Sequence, residues 1–277
     1  GFMQGRLTPM KNGIIQCFPW GNWIEEFTIA SNIGISFMEW TLDYEGLYQN
    51  PLISEKYHKK IRSLCKKFQI KIPSLTGDCF MQKPFWKEKS ILKQKLINDF
   101  FNVIKACNQL DIRKIVVPLV DNGSIESKEQ EIVLVEILSR NKELFKKLNV
   151  EILFESDYDP KNLNRFISLL PYEKFGINYD IGNSASAGFD PTEEFKSYGN
   201  RVKNVHVKDR LLGGTTVPLG HGAANFNLVF RLLKEHNYRG NYILQTARAC
   251  DGDDIKIISK YKNIVEKLIH DQNYCLT

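Results

Sequence analysis

Short apolar runs alternate with amphipathic stretches from one end of the chain to the other. The runs fall at about residues 1–6, 35–40, 70–75, 114–119, 150–155, 175–180, 202–208 and 242–246, and their length and residue types read as strand. Between them, apolar residues recur at helical spacing. Ile53, Tyr57, Ile61, Leu64, Cys65 and Phe68 form one such set, Leu96, Phe100, Ile104 and Cys107 a second, and Phe226, Val229, Phe230 and Leu233 a third. Pro191, Thr192, Glu193 and Glu194 place a proline and two acids in a helical first turn, where a missing N–H and negative charge are both tolerated. Gly34 and Gly240 stand where helices should stop ahead of a strand. Strands alternating with crossover helices imply a parallel sheet. Eight such units predict a single α/β (β/α)8 barrel, with a doubly wound open sheet as the alternative. Two long loops, 77–86 after the third strand and the Gly-rich 212–224 after the seventh, would lie over the top of the barrel.

Length agrees with this picture. The 277 residues are about what one such barrel takes, and no Gly/Ser/Pro-rich linker divides them, so residues 1–277 read as one domain. With 43% hydrophobic and 25% charged residues, disordered and low-complexity classes are excluded. No stretch approaches the roughly 18 uncharged apolar residues of a membrane helix, so no membrane partner is expected. The opening Gly1–Arg6 lacks the apolar core of a signal peptide, and without an initiator Met a few upstream residues are expected. Six cysteines, at 17, 65, 79, 107, 250 and 275, form no CxxC pair, and Cys65 and Cys107 fall in apolar helical patterns. That usage suits a reducing cytoplasm and neither a disulfide framework nor a zinc knuckle. The net charge of +6 is scattered, as on a solvated surface, and does not form a nucleic-acid footprint. No GxGxxG follows the first strand, which argues against a nicotinamide oxidoreductase.

The candidate chemistry lies at the strand ends. Side chains alternate along a strand. If Phe154, Tyr179, Val205, Val207 and Leu244 face the helices, then Glu155, Asp180, His206 and Gln245 face the barrel axis. These four end four successive strands about 4.8 Å apart, so they can converge on one cation. A single carboxylate at a strand end is commonly a cap or ion-pair partner; four inward ligands in matching parity are not. The mixed oxygen and nitrogen set suits one divalent ion, Mn²⁺, Co²⁺, Zn²⁺ or Mg²⁺. Glu39 and Lys208 share the inward parity, Gln4 and Arg6 lie at the end of the first strand, and Arg210 and Arg248 follow the last two.

At these residues the chain resembles the sugar phosphate isomerase/epimerase family of xylose-isomerase-like TIM barrels, which also includes inosose dehydratase and endonuclease IV. The resemblance is carried by Gly34–Trp40, Phe154-Glu155-Ser156-Asp157, Asn178–Asn183, Val205–Arg210, Pro218-Leu219-Gly220-His221-Gly222 and Ile243–Arg248, in that order across nearly the whole chain. It implies a TIM barrel, one divalent metal, and a sugar or sugar-phosphate substrate. Glu155 matches the fifth-strand glutamate that in the family's epimerases binds metal and exchanges a proton with substrate. Asp180 and His206 match the next two ligands. Gln245 stands where those epimerases carry a second glutamate; its carbonyl can still reach a metal, but it cannot act as a base. Asn183 stands where some of them place a substrate-contacting histidine.

The expected chemistry is proton abstraction next to a carbonyl, through an enediolate that the metal stabilises as a Lewis acid. Glu155 is the expected base and Lys208 a group that stabilises or protonates the developing oxyanion. With Gln245 neutral, one-base aldose–ketose isomerisation is more economical than two-base epimerisation. Dehydration and a non-catalytic sugar-binding barrel stay open. Substrate-binding candidates are Gln4, Arg6, Glu39, Asn183, Asp209, Arg210, His221 and Arg248, with the arginines suited to a phosphate or carboxylate end. Five histidines, at 58, 206, 221, 236 and 270, are too few for the trinuclear site of an endonuclease IV. The exposed helical shell of a barrel also offers faces for a homo-oligomer.

Overall fold

The computed structural model describes residues 1–10 and 13–270. Its strands, in chain order, are β1 (Phe2–Met3), β2 (Phe37–Thr41), β3 (Lys71–Thr76), β4 (Lys114–Leu119), β5 (Glu151–Ser156), β6 (Phe175–Asp180), β7 (Val202–Val207), β8 (Asp209–Arg210), β9 (Thr216–Val217) and β10 (Asn241–Leu244). Eight of them close a parallel barrel in the order β1–β10–β7–β6–β5–β4–β3–β2, and β8 pairs antiparallel with β9. The open-sheet alternative is therefore excluded. Helices fill the crossovers and pack against the outward side chains. Phe154 meets Phe166 edge-on at 5.1 Å, and Tyr179 meets Phe195 at 5.1 Å, which fixes the outward parity of β5 and β6.

The first strand is shorter than the pattern at 1–6 suggests. Gly5 turns the chain at φ +92°, and its N–H is held by the buried carboxylate of Glu26. Only a residue without Cβ takes that conformation cheaply. Gly34 ends the helix Glu25–Asn32 at φ +68°, as expected. Gly240 does not end its helix: Phe226–Glu235 stops at His236, and Asn237 takes the left-handed turn at φ +54°. The role of Gly240 is clearance, because a Cβ there would lie 2.5 Å from the Lys203 carbonyl oxygen. The helix Pro191–Tyr198 starts as predicted, with the Asp190 side chain accepting the Thr192 N–H.

Both long loops carry more structure than their composition signals. Segment 77–86 contains the helix Asp78–Gln82 and buries Phe85 and Trp86. Segment 212–224 supplies β9, and the rest of it is gathered on Asp209, whose carboxylate accepts the N–H groups of Gly220, Gly222 and Ala224. Cys65 lies half-buried and Cys107 buried in their helices. Cys275 lies outside the described residues. Among the described residues no helix is long and apolar enough to cross a membrane.

Candidate metal centre and active site

The register of the barrel brings the polar strand ends to one level. Asp180 on β6 stands beside His206 on β7, and Asn178 beside Asn204 two residues earlier. Glu155 enters from β5. Donor atoms of Glu155, Asp180 and His206 all lie within 4.8 Å of one another, and all three side chains are buried.

His206 is the centre of the arrangement and is fully buried. Its Nε2 lies 2.7 Å from Glu39 Oε1. Its Nδ1 faces Asn178 Nδ2 at 3.0 Å, Glu155 Oε2 at 3.1 Å and Asp180 Oδ2 at 3.9 Å. Burial acts to lower the imidazole pKa, but the charges of Glu39 and Glu155 prevail and push it up to about 10. Glu39 is itself fully buried and also accepts from Ser74 Oγ at 2.6 Å and Asn204 Nδ2 at 2.9 Å. Burial pushes its carboxyl up, yet His206, Ser74 and Asn204 together hold it below the ordinary range. A carboxylate behind the far nitrogen fixes the ring and aims the near nitrogen at Glu155 and Asp180, where a metal ion would take the place of its proton.

Glu155 is framed by amides. Asn183 Nδ2 donates to Oε1 at 2.6 Å and Asn178 Nδ2 to Oε2 at 2.9 Å. Burial raises its pKa, but the hydrogen bond and charge of His206 outweigh burial, and the carboxylate stays ionised. Asp180 is the opposite case: burial outweighs the attraction of Lys208, and its pKa is raised. Its Oδ1 accepts the N–H of Asn183 at 2.8 Å. Its Oδ2 is buried and accepts no well-aligned hydrogen bond, although Lys208 Nζ lies 2.7 Å away as an ion pair. Two carboxylates, one of them with an under-satisfied buried oxygen, and a backed imidazole nitrogen are a donor set that fits a divalent cation.

Gln245 follows β10 with its N–H on the Val207 carbonyl, and its side chain turns inward. Its Oε1 lies 3.4 Å from Lys208 Nζ, and its Nε2 donates to Gln16 Oε1 at 2.7 Å. Gln16 in turn donates to Asp78 Oδ2 at 2.7 Å and accepts from Arg6 Nη2 at 3.0 Å. Asp78 is buried, which pushes its carboxyl up to about 7. Beside Gln16 opens a cavity of about 520 Å³ whose walls include Phe18, Trp20 and Asp43.

The remaining candidates divide by place. Asn183 and Arg210 belong to the mouth: Arg210 Nη1 donates to Asn183 Oδ1 at 2.9 Å, and its other nitrogens hold the Gly214 carbonyl. Gln4 holds the Thr41 N–H through Oε1, and Thr41 Oγ1 donates to its carbonyl. Arg6 is buried, with Nη1 on the Thr246 carbonyl. Arg248 joins Asp254 at 2.7 Å and the carbonyls of Gly5, Arg6 and Thr8. Asp209 is fully buried on its loop amides. Glu39 lies beneath His206, and His221 is exposed on its loop. Asn178, Asn204, Ser74, Gln16 and Asp78 are site residues that the strand-end pattern had not named.

A family model described as "Xylose isomerase-like TIM barrel" matches residues 27–262. The chain belongs to that family. Among curated relatives, the L-ribulose-5-phosphate 3-epimerase UlaE of Escherichia coli (strain ATCC 8739) is 22% identical over 253 residues, 88% of this chain and 89% of that protein. The inosose dehydratase of Clostridium tetani is 25% identical over 151 residues, 46% of this chain and half of that protein. A xylose isomerase-like TIM barrel protein from Mycobacterium smegmatis, solved in complex with magnesium, superposes with a TM-score of 0.69 at 13% identity, covering 98% of this chain and 97% of that one. The fold and the family are thus fixed, and the curated relatives within it include epimerases and dehydratases.

Proposed function

We propose that this family member is a divalent-metal-dependent isomerase/epimerase of a sugar or sugar phosphate, and that one-base aldose–ketose isomerisation is the reaction its residues suit best. The observation that carries the reading is the convergence of Glu155, Asp180 and His206 at the ends of three adjacent strands, with Glu155 kept ionised in a buried site. Glu155, Asp180 and His206 would hold the ion, with the Gln245 carbonyl as a fourth candidate. A divalent ion held there supplies Lewis acidity, which acidifies the carbon next to a substrate carbonyl.

This chain's residues do the rest. Glu155 takes the proton from that carbon and returns it to the neighbouring one. Asn178 and Asn183 hold its carboxylate in place, so little reorganisation is needed at the moment of transfer. Lys208 Nζ offers a charged donor to the oxygen that becomes negative. Gln245 leaves the end of β10 without a titratable group, which supports one base over two.

The test is deuterium uptake from D₂O into a panel of ketoses and ketose phosphates, L-ribulose 5-phosphate among them, after metal stripping and reloading with Mn²⁺, Co²⁺, Zn²⁺ or Mg²⁺. About one ion per chain, with exchange that Glu155→Gln abolishes, is the expected result. Exchange that survives in Glu155→Gln removes Glu155 as the base. Ligand binding with neither isomerised product nor exchange anywhere in the panel replaces the reading by a non-catalytic sugar-binding barrel.

A further inference from the structure

Lys208 occupies a peculiar place for an oxyanion-stabilising residue. Its ammonium lies 2.7 Å from Asp180 Oδ2 and 3.4 Å from Gln245 Oε1, so it rests on two of the four oxygen and nitrogen ligands that face the barrel axis. Asp180 Oδ1 accepts the Asn183 N–H, which leaves Oδ2 as the oxygen an ion would take. The one oxygen it turns toward His206 Nδ1 is the oxygen that Lys208 holds. The slot for the lysine is built into the backbone. Gly182 is the second residue of the helix Ile181–Ala187 that follows β6, and a Cβ there would lie 2.9 Å from Lys208 Cγ and 3.1 Å from its Cβ.

From this geometry we infer that Lys208 is a resident counter-cation of the metal centre, which a divalent ion must displace from Asp180 before it binds. The inference rests on the reading of Glu155, Asp180 and His206 as metal ligands. Asp180 is buried, and an unpaired carboxylate there would be costly, so in the metal-free protein the ammonium compensates it. A divalent ion takes over that compensation, and the ammonium leaves Asp180. The neutral Gln245 amide is a weaker second anchor than a carboxylate would be, and the ammonium is correspondingly easier to move. Displacement frees the Lys208 ammonium, so one event both completes the ligand set and releases the donor that the proposed reaction uses. The metal affinity is then lower than the ligand set alone would give, by the fraction of molecules in which the lysine holds Asp180.

The experiment is Mn²⁺ titration calorimetry and thermal unfolding of the full chain, stripped with a chelator, comparing wild type with Lys208→Met and Lys208→Gln. The Gln variant keeps a polar head should the Met variant fold poorly. Both variants are expected to unfold at a lower temperature than wild type when stripped, because Asp180 loses its partner. Both are also expected to bind Mn²⁺ about ten- to hundredfold more tightly, with a larger Mn²⁺-induced rise in Tm. Equal or weaker Mn²⁺ binding in the variants would show that Lys208 orients Asp180 for the ion, and would overturn the inference. Wild type and variants alike binding no Mn²⁺, Co²⁺, Zn²⁺ or Mg²⁺ would overturn the metal reading itself and the inference with it. Ion binding in the variants alone would show that no divalent ion displaces Lys208 from the native site, and would overturn the inference and the metal reading of the native protein together.

Discussion

Replacing Glu26 by Gln should reverse part of the protein's pH response, and the size of the effect can be worked from the structure. Glu26 is fully buried in the helix Glu25–Asn32. Its carboxylate accepts the N–H of Gly5 at 2.9 Å to each oxygen and the N–H of Leu7 at 3.0 Å. It thereby ties down the turn that leads from β1 into Arg6. Burial pushes the carboxyl from 4.5 up to about 7, against the pull of those hydrogen bonds. The folded state therefore keeps a proton that the unfolded chain has released. Stability from this group is fully present below about 4.5, declines through the window from 4.5 to about 7, and is lost above it. A displacement of that size corresponds to about 3 kcal/mol, most of it developed between pH 5 and pH 8.

Glu26→Gln removes the titration and keeps an acceptor, since Oε1 alone is within reach of both amides. The variant should gain on wild type by about 2–3 kcal/mol between pH 5 and pH 8, or roughly 5–10 °C in Tm for a chain of this size. Denaturant unfolding of both proteins at the two pH values measures this as a double difference, in which Asp78, Asp180 and His206 cancel because both proteins carry them. An unchanged difference between variant and wild type at the two pH values would refute the argument and show that Glu26 is ionised throughout.

Two further predictions bear on the metal centre. Glu39→Gln removes the charge behind His206 and should weaken divalent-metal binding by about ten- to hundredfold, as seen by Mn²⁺ titration; unchanged affinity would assign Glu39 a packing role only. His206→Ala should abolish stoichiometric metal in elemental mass spectrometry, while a variant that keeps one ion per chain would remove His206 from the ligand set.

The barrel was legible because its strands are buried on both faces and its helices are amphipathic, so two different periods mark the two kinds of element. Parity did the same for Glu155, Asp180 and His206, which the structure brings together. Parity also held the signal for Asn178 and Asn204. Each stands two residues before a candidate ligand, on the same inward face, and each is buried against a site carboxylate. An amide carries no charge and draws less notice, yet it is what orients the charged groups. Gln16 had no comparable signal. It comes from a loop, and no periodicity ties a loop residue to Asp78 or to Gln245 far along the chain. Arg6 and Arg248 attract attention as anion binders by residue type alone. In the fold their guanidinium groups are directed at carbonyls and at Asp254, partnerships that only tertiary structure specifies.

The identity of residue 245 follows from its surroundings. Arg6 donates to Gln16 Oε1, and Asp78 accepts from Gln16 Nε2. Those two bonds fix which end of the Gln16 amide points at position 245, and it is the oxygen. An acceptor there requires a donor opposite, and Gln245 Nε2 supplies one at 2.7 Å. A glutamate at 245, the residue expected of a two-base epimerase, would set carboxylate oxygen against amide oxygen. Turning Gln16 over would relieve that contact only by breaking its bonds to Arg6 and Asp78. Gln245→Glu should therefore lower stability at pH 8 by about 1–3 kcal/mol, the cost of leaving a buried polar group without its partner. Lys208 beside it would recover part of this by ion pairing. Thermal unfolding of Gln245→Glu at pH 8 and pH 5 measures it, and the loss should shrink at pH 5, where the new carboxyl can hold a proton and donate to Gln16. A variant as stable as wild type at pH 8 would mean that Gln16 is free to turn, and the amide at 245 would then owe nothing to the network around it.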